Sequence, residues 1–211
     1  NLLYRRGDRR LIAEGSPCSA ANLTWFLEQA LGGRVLVDEA NALVATCPVD
    51  TARCQFLPYV FGPDPRRGAF IGLRATDDMG TMVRAVFEGV AFQARRHAED
   101  AVALSGQAHP ATIRLAGGAS KSLVWAQVFA DVCQRDVEVV QASEVGALGA
   151  AICAAVACGA YADLEEAAAQ MTSVVRRHKP DPSLAQFYND RFHNFCRLDT
   201  GLAALLNDES P

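Results

Sequence analysis

The sequence predicts an α/β fold in which a parallel or mixed sheet is flanked by helices. Two observations support this class. In the second half of the chain, short runs of strand-forming residues alternate with segments of helical period. Within residues 112–131, the pattern changes from that of a strand to that of a helix at Gly117-Gly118.

The first fifty residues predict a hairpin followed by two helices. Residues 1–6 and 10–13 are typical of strands, with a turn at Gly7-Asp8 between them. After a second turn at 14–17, Ser19 is the predicted N-cap of a helix that closes at Gly32-Gly33. The apolar face of this helix consists of Leu23, Phe26, Leu27, Ala30 and Leu31, and that of the next helix of Leu36, Val37, Ala40, Leu43 and Val44.

The middle of the chain predicts a short strand, a loop and one long helix. The run at 54–61 is rich in strand formers, and the glycines, prolines and arginines of 62–68 predict a loop with a mobile tip. Helical spacing extends from Thr76 or Asp77 to about Leu104. Glycine inside a helix costs about 1 kcal/mol relative to alanine, so Gly89 predicts that another backbone passes close by. The predicted buried stripe is Met79, Met82, Val83, Val86, Val90, Ala94, Ala98 and Val102.

Beyond the glycine pair, the chain predicts a strand at 137–140 and helices at 146–159, 164–171 and about 182–206. The helix at 146–159 consists mainly of glycine and alanine. We therefore expect it to pack closely against a sheet or another helix.

The glycine pair is the strongest functional signal. In open α/β sheets, ligands bind at the carboxyl ends of strands, where glycine exposes bare main chain. Neither of two well-known phosphate loops fits, because Lys121 follows Ser120 rather than glycine and because Ala119 and Ser122 break the dinucleotide fingerprint. The residues alone leave two alternatives, a nucleotide-binding shelf or a tight strand-to-helix turn.

Composition excludes several classes of protein. A net charge of -4 without a basic run argues against a nucleic-acid partner. The longest apolar stretch, at 145–160, is too short to span a bilayer. Seven cysteines without a C-x-x-C pair predict buried free thiols in a soluble, cytoplasmic protein. Paired arginines occur at 5–6, 9–10, 66–67, 95–96 and 176–177, and each pair is expected to be solvated.

Five segments resemble, in order and spacing, the C-terminal half of carbohydrate kinases of the FGGY family, and most of all the xylulose kinase group. This family belongs to the actin, hexokinase and Hsp70 type of ATPase, whose domains have a ribonuclease H-like fold. The segments are EGSPCSAANLTWF at 14–26, FLPYVFG at 56–62, RAVFEGVAFQ at 84–93, LAGGASKSLVWAQVFADV at 115–132 and SEVGALGAAICAAV at 143–156.

The resemblance implies a two-domain enzyme that uses ATP and Mg²⁺ to phosphorylate a hydroxyl of a ketose or polyol, with residues 1–211 as the C-terminal, nucleotide-side domain. It places Gly117, Gly118 and Ala119 against the ribose and α-phosphate and Ser122 toward the adenine. It also places Ala20 and Thr24 near the phosphates.

The family's catalytic aspartate, the loop for the distal phosphates and most sugar-binding residues precede the position of Asn1. We therefore expect no catalytic residue in this chain, and Asp8 is interpreted as a turn residue. An N-terminal domain is the expected partner. Without it, an exposed apolar face would favour self-association into, for example, a homodimer.

Two other interpretations stay open. One is a free-standing nucleotide-binding or regulatory module derived from such a kinase. The other is an unrelated α/β domain with a coincidental glycine turn, which would bind no nucleotide.

Overall fold

The computed structural model describes residues 5–6, 9–10, 12–13, 15, 19–50, 53–62, 66–141 and 144–207. The helices are α1 (Ala21–Trp25), which continues as a π-helix (Phe26–Ala30), α2 (Val37–Thr46), α3 (Met79–Ser105), α4 (Leu123–Cys133), α5 (Val145–Ala157), α6 (Leu164–Met171) and α7 (Ala185–Asn207). The strands are β1 (Arg5–Arg6), β2 (Arg9–Arg10), β3 (Gln55–Leu57), β4 (Ala69–Ile71), β5 (Thr112–Leu115), β6 (Asp136–Val140) and β7 (Val174–His178).

The largest described sheet is mixed, which confirms the predicted fold class. Its order is β5-β6-β7, with β5 parallel and β7 antiparallel to β6. Two antiparallel pairs, β1-β2 and β3-β4, complete the described strands. The predicted hairpin pairs as β1-β2, while its turn at Gly7-Asp8 and the loop tip at 63–65 lie outside the described residues.

The long helix α3 is the centre of the core, and the other elements of the core pack around it. It starts after Asp78, whose carboxylate accepts a hydrogen bond from Thr81 N at 2.9 Å, and ends at Gly106 in the left-handed conformation. At Gly89 the main chain of β3 crosses the helix so closely that a Cβ would lie 2.2 Å from the carbonyl oxygen of Phe56. The predicted close approach of a second backbone is thus confirmed.

Aromatic contacts fix α4 and α7 against α3. The Trp125 ring stacks on Phe87 at 4.3 Å between centroids, and its Nε1 donates to the carbonyl oxygen of Phe87 at 3.0 Å. On the next turns of α3, Phe92 contacts Tyr188 and Phe195 of α7. The buried indole therefore has both an apolar neighbour and a hydrogen-bond partner, as buried tryptophans require.

Several predicted boundaries need correction. The first helix is capped at Ala20 rather than Ser19 and widens into a π-helix at Phe26, although Gly32 and Gly33 close it in the left-handed conformation as predicted. Strand β3 stops at Leu57, because Pro58 has no N–H to continue a ladder. Strands β4 and β7 are not predicted by the sequence pattern. In α3, Met79 lies outside the buried stripe and is 41% exposed.

Three of the paired arginines are partly buried, contrary to expectation. Arg95, Arg96 and Arg176 are half-buried and donate to oxygen atoms of other elements. Arg177 also pairs with a carboxylate but is exposed, as expected. Arg66 and Arg67 are exposed, as expected. The partners are Val132 and Asn189 for Arg95, Asp199 for Arg96, Ser120 for Arg176 and Glu138 for Arg177.

The prediction that the small-residue helix packs tightly is wrong for the described part of the chain. None of the residues of α5 is buried, and its main described neighbour is the short helix α6. Consequently Cys153 and Cys158 are exposed rather than buried, although both are free thiols. A Cβ added at Gly146 or Gly149 would meet no atom within 4 Å. No helix within the described residues is long and apolar enough to cross a membrane.

We predict that Gly89→Ala destabilises the protein by at least about 2 kcal/mol, because the new methyl group would collide with a backbone oxygen that cannot move independently. Urea unfolding followed by circular dichroism measures the change. The matched control is Gly149→Ala in the exposed helix α5, which should be neutral or stabilising by up to about 1 kcal/mol. Equal stability of Gly89→Ala and wild type would contradict the close crossing.

The three-stranded sheet carries a charged ladder that predicts a pH dependence. Glu138 pairs with Arg177 and, at 3.5 Å, with Arg114 on the two neighbouring strands. The hydrogen bond from Arg177, followed by the charges of the two arginines, lowers the pKa of Glu138 below its ordinary value of 4.5. Because the pKa is lower in the folded protein, this stabilisation is present above pH 4.5 and is lost as the pH falls through the folded-state pKa.

Glu138→Gln should therefore be less stable than wild type at neutral pH, and the difference should shrink in acid. Urea unfolding at a series of pH values from about 7 to about 3 measures it. A difference that stays constant over this range would show that the loss arises from packing rather than charge.

Candidate functional site

The glycine pair lies at the carboxyl end of β5, and its main chain is open to solvent. Gly117 has φ 82° and ψ −158°, a conformation available to glycine and strained for other residues. A Cβ at this position would meet no atom within 4 Å. Both glycines are exposed. The geometry is that of a bare main-chain shelf with free space above it.

Gly118 brings the start of α1 to the shelf. A Cβ at Gly118 would lie only 2.9 Å from the Cβ of Ala20, so the absence of a side chain lets the two elements touch. Thr24 lies one turn further along α1 and is exposed. The structure thus places Ala20 against Gly118, and Thr24 one helical turn beyond Ala20.

A short 3₁₀ turn that begins at Gly118 precedes α4, so the change of pattern predicted at Gly117-Gly118 leads first into this turn and only at Leu123 into the helix. The turn spans Gly118–Lys121 and buries Ala119. Ser120 Oγ donates to the carbonyl oxygen of Gly117 at 2.7 Å, and Arg176 donates to the carbonyl oxygen of Ser120. The first bond satisfies a carbonyl group within the turn, and the second holds the shelf to β7.

Ser122 ends the turn and caps α4. Its Oγ accepts a hydrogen bond from Trp125 N at 3.0 Å, which is the usual role of an N-cap serine. The same hydroxyl donates to Asn41 Oδ1 on α2 at 2.6 Å. Of the sequence-predicted residues, Ser122 is therefore held inside the protein, whereas Gly117 and Gly118 are open.

Behind α4, a polar cluster fixes the loop that follows β7. Asp131 Oδ1 accepts hydrogen bonds from Gln127 at 2.9 Å and from Asp181 N at 2.8 Å. Burial raises the pKa of Asp131. Burial and then the charge of Arg176 lower the pKa of His178, whose Nδ1 lies 3.3 Å from Gln127 Oε1. The cluster anchors β7, and with it the arginine that supports the shelf.

Two residues near the shelf were missed by sequence reasoning. Arg176 was interpreted as surface, because nothing local indicates a partner 56 residues away. Asn41 was not singled out, because an asparagine in an amphipathic helix gives no signal by itself. Both contacts arise only when distant elements come together.

The described residues contain no group of three or more histidine, cysteine, aspartate or glutamate side chains that could hold a metal ion. The donor set at the shelf, which consists of main chain, hydroxyl and amide groups, does not fit a resident Mg²⁺.

The profile of the FGGY family of carbohydrate kinases, C-terminal domain, matches residues 15–158. The chain belongs to this family. Among its relatives, the L-xylulose/3-keto-L-gulonate kinase of Escherichia coli K12 is 32% identical over 195 residues, which cover 91% of this chain and 38% of the relative. The probable L-xylulose kinase of Pasteurella multocida is 29% identical over 206 residues, with coverage of 96% and 41%.

Solved structures of FGGY kinases have the same fold. The xylulose kinase from Rhodospirillum rubrum matches with a TM-score of 0.78 and 28% identity over 91% of this chain and 40% of that one. The gluconate kinase from Lactobacillus acidophilus matches with a TM-score of 0.81 and 25% identity, with coverage of 92% and 40%. These matches confirm the predicted actin- and hexokinase-like fold and the resemblance to xylulose kinases. The chain spans about 40% of the length of these proteins.

The contact between Gly118 and Ala20 predicts a coupled pair of substitutions. Gly118→Ala should cost about 1–2 kcal/mol, because its methyl group would crowd Ala20. In an Ala20→Gly background the same substitution should cost less than about 0.5 kcal/mol, since glycine is tolerated at an N-cap and leaves the space free. Urea unfolding of the four proteins gives the coupling, and additive costs would contradict this geometry.

Proposed function

We propose that this chain is the nucleotide-side domain, residues 1–211, of an ATP-dependent kinase that transfers the γ-phosphate of ATP to a hydroxyl of a ketose or polyol of the xylulose kind. The observation that carries the proposal is the open main chain of Gly117 at the end of β5, in a chain that belongs to the FGGY family. The names of the two relatives support the sugar class.

In this proposal the ribose and α-phosphate of ATP rest on Gly117, Gly118 and Ala119. The adenine extends toward Ser122, and the phosphates extend toward Ala20 and Thr24. The contact of Ala20 with Gly118 supports this arrangement, because one ligand on the shelf would lie beside both segments. The exposure of Thr24 leaves its hydroxyl available to a ligand.

The remaining chemistry is assigned to the part of the enzyme that corresponds to the other 60% or so of the relatives. Phosphoryl transfer needs a positioned nucleotide, a metal ion and an oriented nucleophile. The proposed role of this chain is the first of these. An N-terminal domain would supply the catalytic base and the sugar site, and no described residue is assigned to the Mg²⁺ cofactor.

The exposed small-residue helix α5 supports the existence of such a partner domain. Its glycine and alanine residues form an exposed apolar surface of the kind that packs closely against another domain. In the isolated chain the same surface would favour a homodimer. The six described free cysteines suit a reducing compartment, and we propose that the enzyme acts in the cytoplasm.

Titration calorimetry with ADP tests the proposed shelf. We expect the wild-type chain to bind ADP and Gly117→Val to bind it at least about tenfold more weakly, because the side chain would fill the space above the shelf. The matched control is Gly106→Val at the end of α3. That residue also has a positive φ, 63°, and open space at the Cβ position. It should lose a similar amount of stability but keep ADP affinity.

Equal ADP affinity of the Gly117→Val and wild-type proteins would overturn the nucleotide shelf. The sugar class is tested separately, by measuring ATP-dependent phosphorylation of a panel of ketoses and polyols by the enzyme with both domains. Xylulose should be among the best substrates, and failure to phosphorylate any sugar or polyol would overturn the kinase proposal.

A further inference from the structure

The hydroxyl of Ser122 has no hydrogen left to offer a ligand. It accepts from Trp125 N and gives its single hydrogen to Asn41 Oδ1, and the residue is only 7% exposed. A serine that faces a nucleobase as a donor would have to break one of these bonds. The polar recognition of a base beside Ser122 must therefore come from another group.

Asn41 offers such a group, because its amide is hydrogen-bonded to Ser122. The 2.6 Å separation from Ser122 Oγ is typical of an O–H···O hydrogen bond and shorter than the usual N–H···O distance, which assigns the Asn41 oxygen to the serine. The amide nitrogen of Asn41 then faces away from Ser122. It makes no hydrogen bond within the described part of the chain, and the residue is only half-buried. The amide thus presents two fixed donors at the junction of α2 and α4.

Exposed apolar side chains lie on α2 and α4, the two helices that Asn41 and Ser122 join. Val37 lies one turn before Asn41 on the same face of α2 and is 54% exposed. Leu123 follows Ser122 at the start of α4 and is 59% exposed. A few oriented polar groups within an apolar surround are typical of sites for small organic ligands.

We propose that Asn41 recognises the nucleobase, by donating a hydrogen bond from Nδ2 to a ring nitrogen of a purine that lies between Val37 and Leu123. This inference rests on the proposed nucleotide site. Ser122 is a positioning residue that fixes the asparagine amide, and it does not contact the base as a donor. The ring nitrogens N1, N3 and N7 of adenine are acceptors, so the donor pair of Asn41 can form a hydrogen bond to one of them.

The test compares two ligands that share the diphosphate and ribose but differ in the base, ADP and ribose 5-diphosphate. Calorimetric titrations use wild type, Asn41→Asp, Ser122→Ala and the control Ala42→Ser, which lies on the exposed part of α2. Asn41→Asp keeps an oxygen that can accept the bond from Ser122 but removes the donors. We expect about a tenfold loss of ADP affinity and unchanged affinity for ribose 5-diphosphate.

Ser122→Ala should weaken ADP binding by only about two- to fivefold, because the asparagine keeps its donors but loses its fixed orientation. Ala42→Ser should match wild type for both ligands, and thermal unfolding checks that every variant is folded. If wild type binds ADP and Asn41→Asp binds it equally well, this inference alone is wrong. A larger loss in Ser122→Ala than in Asn41→Asp would also overturn it, in favour of direct contact by the serine. If wild type binds neither ligand, the proposed function is wrong and this inference with it.

Discussion

The buried carboxylate of Glu88 is the interaction on which the rest of the structure depends. It lies at the centre of α3 with no exposed surface, 2.6 Å from the guanidinium of Arg191 on α7 and 3.7 Å from that of Arg84 one turn earlier. Both arginines also donate hydrogen bonds to backbone carbonyl oxygens. Arg84 donates to the end of α2, and Arg191 donates to Cys54, which precedes β3. Removal of one partner of such a buried pair typically costs about 3–5 kcal/mol, because a charge is left without compensation. One acid therefore holds four elements in a single arrangement.

The candidate site follows from that arrangement. Helix α2 is fixed to α3 by Arg84, and α4 is fixed to α3 by the stacking of Trp125 on Phe87. The middle of α2 then lies beside the start of α4, where Asn41 and Ser122 form a hydrogen bond. The glycine shelf lies just before α4. Its position relative to α2 is therefore set by the core contacts of α4 rather than by the loop itself.

Sequence reasoning succeeded where local pattern decides the structure. The strand at 112–115, the helix at 164–171 and the close crossing at Gly89 follow from side-chain period and from the cost of glycine in a helix. It failed where distant contacts decide. Strand β7 has a mixed apolar and basic sequence, and it forms because β6 offers an open edge and Glu138 an acid for Arg177. The partners Asn41 and Ser122 are 81 residues apart, and no local pattern connects them.

The most direct test of the account is a crystal structure of the protein with bound ADP. We expect the ribose above the main chain of Gly117 and the α-phosphate beside Gly118 and Ala119. We also expect a base nitrogen within hydrogen-bond distance of Asn41 Nδ2. An ADP molecule bound elsewhere, with the space above Gly117 filled only by solvent, would contradict the proposed nucleotide site.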